Sequence, residues 1–194
     1  MKTTKAILTE LAACHEAVKW AGRKTHRQAW ETCKRGEWLL WIAGKVDIDR
    51  KLFVLAACGC ARTALKYIPD GEDRPRIAIE TAEAWVRGEA TIKQVRAAAY
   101  AAYAAAYAAY AAAAFAYAAA HAAAYAANAA YAANAAYDAA HAAYDAAYAA
   151  YDAARDASYD AALAAARKDM AAIVRKIIPF SVIKKAIADY EGKQ

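Results

Sequence analysis

Proline and glycine are scarce in this chain, with three and seven among 194 residues. Neither occurs between Ala97 and Asp160, which excludes the turn-dense patterning of a β-sandwich or barrel from that whole stretch. No segment alternates apolar and polar residues with period two, so strands are not expected. A C-x-x-C pair is missing too. Cys58-x-Cys60 and the isolated Cys14 and Cys33 lack zinc spacing, and buried free thiols are the simpler expectation. Gly36 and Gly44 stand alone, so there is no phosphate-cradling loop. Met1-Lys2-Thr3-Thr4-Lys5 leads into an amphipathic helix rather than an apolar leader, which points to a cytoplasmic chain with reduced cysteines. Residues 97–120 carry no charge and are long enough to span a bilayer. Alanine and tyrosine are poor lipid-facing residues, however, and basic segments flank both sides, so no span is expected.

What the chain does have is alanine, tyrosine and tryptophan. Its apolar fraction of 61% overstates the core, because alanine buries little area. Packing must rely on close helix approach with Trp and Tyr anchors. Charge divides the chain into three. Residues 1–96 hold 18 Lys/Arg and 12 Asp/Glu, residues 97–160 one Arg and five Asp, and residues 161–194 seven basic and three acidic residues. These become a Trp-rich helical part, an Ala/Tyr-rich part of long helices, and C-terminal helices that pack back, in a single domain overall. The net charge of +6 favours anionic partners in general. The basic residues of 1–96 are interspersed with acids and form no stripe, so specific nucleic-acid binding is not expected.

Helix signals punctuate the first part. Thr4 or Thr9 opens a helix that Gly22 ends, and a second runs from Arg27 to Ala43 with Gly36 as a weak point in its middle. Asp47 or Asp49 caps a third through Tyr67, and Pro69-Asp70-Gly71 is a turn. Pro75 enters the first turn of a fourth that ends near Gly88, and Thr91 caps the next. Pro179 forces a boundary before a final helix from Phe180 to Tyr190.

From Ala97 to Asp160, 40 of 64 residues are alanine, the strongest helix former. Unbroken, this segment would be about 95 Å long, against a radius of gyration of about 16 Å for a compact domain of this size. At 100° per residue, Tyr103, Tyr107, Tyr110, Tyr117, His121, Tyr125 and Asn128 share one face. The later set, from Asn134 to Tyr159, clusters about 180° away. That phase shift predicts a break or hairpin between Asn128 and Asn134, asparagine being tolerant of turn geometry. The expected fold is all-α: a helical bundle with long Ala/Tyr-rich helices broken near residues 128–134.

One pattern in the first ninety residues is distinctive. It reads Ala13-Cys14-x-Glu16-Ala17-x-x-Trp20, then Trp30-x-x-Cys33-x-Arg35-Gly36-x-Trp38-Leu39-x-Trp41. It continues with Cys60-Ala61-Arg62 and closes on Ile79-Glu80-x-Ala82-Glu83-Ala84-Trp85-x-x-Gly88-Glu89-Ala90. Together with the Ala/Tyr tract, it resembles the Imm-5-like immunity protein family of bacteria and their phages. The resemblance covers essentially the whole chain. It implies neutralisation of a toxin or defence effector by binding, or the countering of host immunity, and brings no catalytic residues with it.

The candidate binding residues follow from spacing. Tyr137-Asp138, Tyr144-Asp145 and Tyr151-Asp152 recur every seven residues, which sustains one seam along a helix. Asp138, His141 and Asp145 are neighbours on one face. A histidine between carboxylates suits proton transfer, but a nucleophile and oxyanion donors are missing. No enzyme activity, cofactor or metal is therefore assigned. Tyr137, Asp138, His141, Tyr144, Asp145, Tyr148, Asp152 and Arg155 form either an acidic recognition ridge for a protein target or a seam that pairs with Arg35, Arg62 or Arg96 of the same chain. The leading expectation is an immunity or anti-defence protein that binds a toxin or effector. The alternative is a sponge that holds a nucleotide-like immune signal in an aromatic pocket, with Arg35 or Arg62 on its phosphates. A structural helical spacer is the third. Ala-rich helices also invite homo-oligomers through close backbone approach.

Overall fold

Every regular element among the described residues is helical. The computed structural model describes residues 2–110, 121–123, 125–127, 129, 138, 141–142, 145–146, 149 and 159–193. The elements are α1 (Thr4–Glu10), α2 (His15–Ala21), α3 (His26–Thr32), α4 (Gly36–Lys45), α5 (Arg50–Arg62), a 3-10 turn (Leu65–Tyr67), α6 (Arg74–Arg87), α7 (Ile92–Tyr110), α8 (Tyr159–Ile177) and α9 (Phe180–Gly192). Residues 121–123, 125–127, 138, 141–142, 145–146 and 149 are also helical, and Ala129 lies in a turn.

Local chemistry accounts for most boundaries. The Asp49 carboxylate accepts from Leu52 N at 2.9 Å and caps α5, satisfying one of the donors every helix start leaves open. Thr25 and Gln28 cap α3 reciprocally, and Thr91 and Gln94 do the same before α7. Pro75 occupies the first turn of α6, and Gly88 ends it in the left-handed conformation at φ 83°, which costs glycine no Cβ clash.

Three expected helices are divided. The helix expected from Thr4 to Gly22 breaks at Leu11–Cys14, where Ala12 takes φ 57°. The one expected from Arg27 to Ala43 is interrupted at Cys33–Arg35. There Arg175 of α8 donates to the carbonyls of Cys33 at 2.6 Å and Trp30 at 3.4 Å, closing the C-terminal end of α3 with a cation. The third stops at Arg62, and the chain continues as the 3-10 turn.

Helix α8 lies across α4 and α5, α6 packs on α5 and α7, and α9 packs on α3. Leu40, Val54, Ile79, Val95, Met170, Val174 and Ile178 are essentially inaccessible at this centre. Each contributes about 1.5–3 kcal/mol of hydrophobic stabilisation. Gly36 is not a weak point inside a helix but the place where α4 meets α8: a Cβ there would stand 2.7 Å from Met170 Cβ.

The Ala/Tyr tract folds back on itself. His121 Nδ1 lies 3.9 Å from Asp145 Oδ2, and the rings of Tyr125 and His141 are 5.2 Å apart. On one straight helix these pairs would be separated by about 36 Å and 24 Å. The chain therefore reverses between Ala127 and Asp138, where the phase shift placed a break; Asn128 and Asn134 themselves lie outside the described residues. A second reversal, not anticipated, falls between Tyr110 and His121, because Tyr103 sits 5.4 Å from His121 and 5.6 Å from Tyr125, ring to ring. Ala99, Ala102, Ala122, Ala126, Ala142, Ala146 and Ala149 are buried along these helices. Small side chains permit this close approach of helix axes.

Candidate ligand site

Helices α1 to α4 are short, and the bends between them bring four of the five tryptophans to one hollow. The split at Leu11–Cys14 turns α2 back beside α1, and the break at Cys33–Arg35 re-aims α4 so that Trp38 and Trp41 join Trp20 and Trp30. Together they line a cavity of about 510 Å³, with Ile183 and Ile187 of α9 on another side. Trp20 and Trp38 meet edge to face at 5.9 Å, a favoured arrangement of ring quadrupoles. Cations cover three of the indoles: Lys24 over Trp20 at 4.5 Å, Arg35 over Trp38 at 4.2 Å and Lys45 over Trp41 at 5.7 Å. These contacts hold the rings in place.

The polar groups of this wall are few. Glu37 is 7% exposed. Its Oε1 accepts from Arg35 Nε at 2.7 Å and lies 3.1 Å from Arg167 Nε, close enough for charge pairing but without hydrogen-bond alignment. Glu37 Oε2 and Trp30 Nε1 are buried and have no hydrogen-bond partner among the described residues. One unmet acceptor and one unmet donor among the described residues thus belong to side chains lining a largely apolar space. His141 also lines the cavity and connects it to the Ala/Tyr hairpin through its contact with Tyr125.

The predicted binding residues separate into different environments. Arg35 serves as the support of Glu37, and its Nη1 also donates to Glu16 at 2.8 Å. Arg62 forms a two-pronged bond to Glu83 at 2.9 and 2.6 Å. Among the described residues both guanidiniums pair with glutamates, and neither pairs with Asp138 or Asp145. Asp138 and Asp145 are turned into the hairpin rather than displayed as a ridge: Asp138 is 9% exposed and the Asp145 side chain 18%. Burial pushes the Asp138 carboxyl up to about 6 and that of Asp145 up to about 7, since the charged form loses solvation. Burial also lowers the titration of His121, with His141 nearby adding to it, and burial alone lowers His141. His121 and Asp145 are thus both driven towards neutrality, and their contact is not a strong ion pair at neutral pH. Tyr137, Tyr144, Tyr148, Asp152 and Arg155 lie outside the described residues.

Sequence reasoning missed Glu37, Trp30 and the tryptophan cluster as a site. The signal was present in the spacing Trp30, Trp38, Trp41 beside Glu37, but it reads equally as core. Cys33, Cys58 and Cys60 are buried free thiols and Cys14 is exposed; burial pushes the Cys58 and Cys60 thiols well above their ordinary range, which makes them inert. Among the described residues no group of three His, Cys, Asp or Glu side chains could hold a metal ion, and no helix is long and apolar enough to cross a membrane. Comparison with models of protein families, with curated proteins and with solved structures finds no match to this chain.

Proposed function

We propose that this chain is a non-catalytic binding protein that sequesters a nucleotide-derived small molecule, holding its flat ring in the Trp-lined cavity. The observation that carries this reading is the cavity itself: four indoles around about 510 Å³, with Glu37 and His141 among its few polar lining residues. Pockets of about 300–1,000 Å³ with few polar groups suit small ligands. The resemblance to the Imm-5-like immunity family supplies a setting, in which capture of an immune signal protects a phage or a bacterium. The toxin-binding alternative leans on an acidic ridge, and it draws less support because Asp138 and Asp145 are inward and titrate near neutrality.

A thermal-shift screen of the purified chain against cyclic dinucleotides, ADP-ribose derivatives and simple nucleotides tests this. A saturating ligand raises the melting temperature by several degrees, as about 2.7 kcal/mol at one hundred times Kd implies, and Trp38→Ala and Glu37→Gln abolish the rise. No shift across the panel, with a stable 1:1 complex to a toxin or effector instead, would replace sequestration by protein neutralisation.

A further inference from the structure

Beside the Trp-lined cavity lies a second one of about 800 Å³, and Thr4, His26 and Ile187 line both. Its character is the opposite. Lys2, Lys5, Arg23, Lys24, Arg27 and Lys184 line it, and no carboxylate does. These cations come from three separate places: the start of α1, the connection from α2 into α3, and the start of α9. Gly22 makes the middle one possible. At φ 53° it turns the chain sharply after α2 with no Cβ to clash, delivering Arg23 and Lys24 to the same hollow as Lys5 and Lys184.

Some of this charge is already compensated. Lys2 Nζ pairs with Glu10 at 2.8 Å and Arg27 Nε lies 3.5 Å from Glu31. Lys24 Nζ donates to the Trp20 carbonyl at 2.6 Å and covers the Trp20 ring, so it belongs to the basic cavity while bracing a wall of the aromatic one. Lys5, Arg23 and Lys184 have no ion-pair partner among the described residues. Three uncompensated cations in one concavity repel one another and raise the local potential for anions. A terminal phosphate, carrying about −1.5 to −2 at neutral pH, matches that excess.

The shared wall is itself hydrogen-bonded. Thr4 Oγ1 lies 2.8 Å from the Lys24 carbonyl and 3.0 Å from His26 Nδ1, and His26 Nε2 donates to the Lys2 carbonyl at 3.1 Å, since a carbonyl only accepts. This lattice holds the two compartments at a set spacing.

We infer that the basic cavity is the phosphate subsite of the ligand proposed above, and that the ligand class is a nucleoside phosphate. Its base lies among the indoles and its phosphate chain among Lys5, Arg23 and Lys184. This rests on the reading of the Trp-lined cavity as the ring site, and it moves the phosphate contacts away from Arg35 and Arg62. Both arginines are committed to glutamates.

Isothermal titration of the full chain with adenosine, ATP, guanosine, GTP and inorganic tripolyphosphate, at low and high salt, tests the two parts separately. The comparison protein is the triple variant Lys5→Gln, Arg23→Gln, Lys184→Gln, whose three positions are exposed and whose melting temperature should match that of the parent. One triphosphate is expected to bind at least tenfold tighter than its nucleoside, the advantage shrinking with salt. The triple variant loses that tenfold and leaves nucleoside affinity unchanged. Equal binding of nucleoside and triphosphate, or a triple variant that keeps the increment, overturns the phosphate subsite while the ring site stands. Tripolyphosphate binding as tightly as the triphosphates, with nucleosides silent, overturns the ring site and retains the basic one. Silence from every probe overturns both.

Discussion

The Trp-rich half and the Ala/Tyr half are both helical, yet different forces hold them. Helices α1, α2 and α3 are seven residues long, well below the length at which an isolated helix is stable in water. Side-chain caps close the starts of α1 and α3, and bulky side chains, with Leu40, Val54 and Ile79 at the centre, anchor the segments they join. Helices α7 and α8 run to nineteen residues each, and their alanines favour helix without help. In the first half tertiary packing creates the helices. In the second, the helices come nearly ready-made and packing only decides where they fold back. This difference also explains why the cavity lies in the first half: large, rigid indoles on short, bent segments leave space between them, whereas alanine faces close on each other.

The comparison can be broken most forcefully at Leu40, which is fully buried. Leu40→Ala should cost about 2–5 kcal/mol by leaving a cavity the short helices cannot collapse around, read as a lower urea midpoint with an unchanged slope. In the alanine half the sensitive direction is the reverse. Ala126 is fully buried, and Ala126→Leu should cost about 1–3 kcal/mol by forcing helices apart. At exposed Ala164 on α8 the same change should stay within about 0.5 kcal/mol. Equal effects at the two sites would show that close helix approach does not organise this half.

The last effect concerns pH. Burial pushes the folded Asp145 carboxyl up to about 7, above the value of about 3.9 for a free aspartate. A carboxyl raised in the folded state contributes stability that is full below about pH 4 and is lost as pH rises through about 7. Asp145→Asn removes this dependence. The melting temperature of the variant minus that of the parent should therefore increase from pH 5 to pH 8, by about 2–4 °C for each kcal/mol involved. Because His121 touches Asp145 and its own titration is coupled to that contact, parent and variant are both compared in a His121→Gln background. A difference that stays flat with pH would mean that Asp145 is solvated.

Much of the fold was legible because its signals are local. Asp49, Pro75, Gly88, Thr91 and Pro179 act on their own neighbours, and each stands where a helix begins or ends. The reversal after Ala127 was legible through the phase of the tyrosines. The earlier one, between Tyr110 and His121, carries no Gly, Pro or Asn to announce it. The break at Cys33–Arg35 was hidden for another reason: Arg175, which draws on the carbonyls of Trp30 and Cys33, stands far away in sequence. Gly36 read as a flaw until Met170 was seen against it.

The site was less legible than the fold. Arg35 and Arg62 looked available for phosphates because sequence shows that glutamates are near but not which of them each arginine meets. The cations of the basic cavity escaped notice for the same reason, being divided among Lys2, Lys5, the run from Arg23 to Arg27, and Lys184. By itself the sequence determined that this protein is all-α, where most of its helices start, and that alanine would set the spacing of its long ones, because propensity and capping act over a single turn. Only the tertiary structure decided that four indoles surround a hollow, that Glu37 is buried between two guanidiniums, that Asp138 and Asp145 face inward, and that scattered cations share one wall. Each of these depends on contacts between segments far apart in the chain, whose geometry no local pattern encodes.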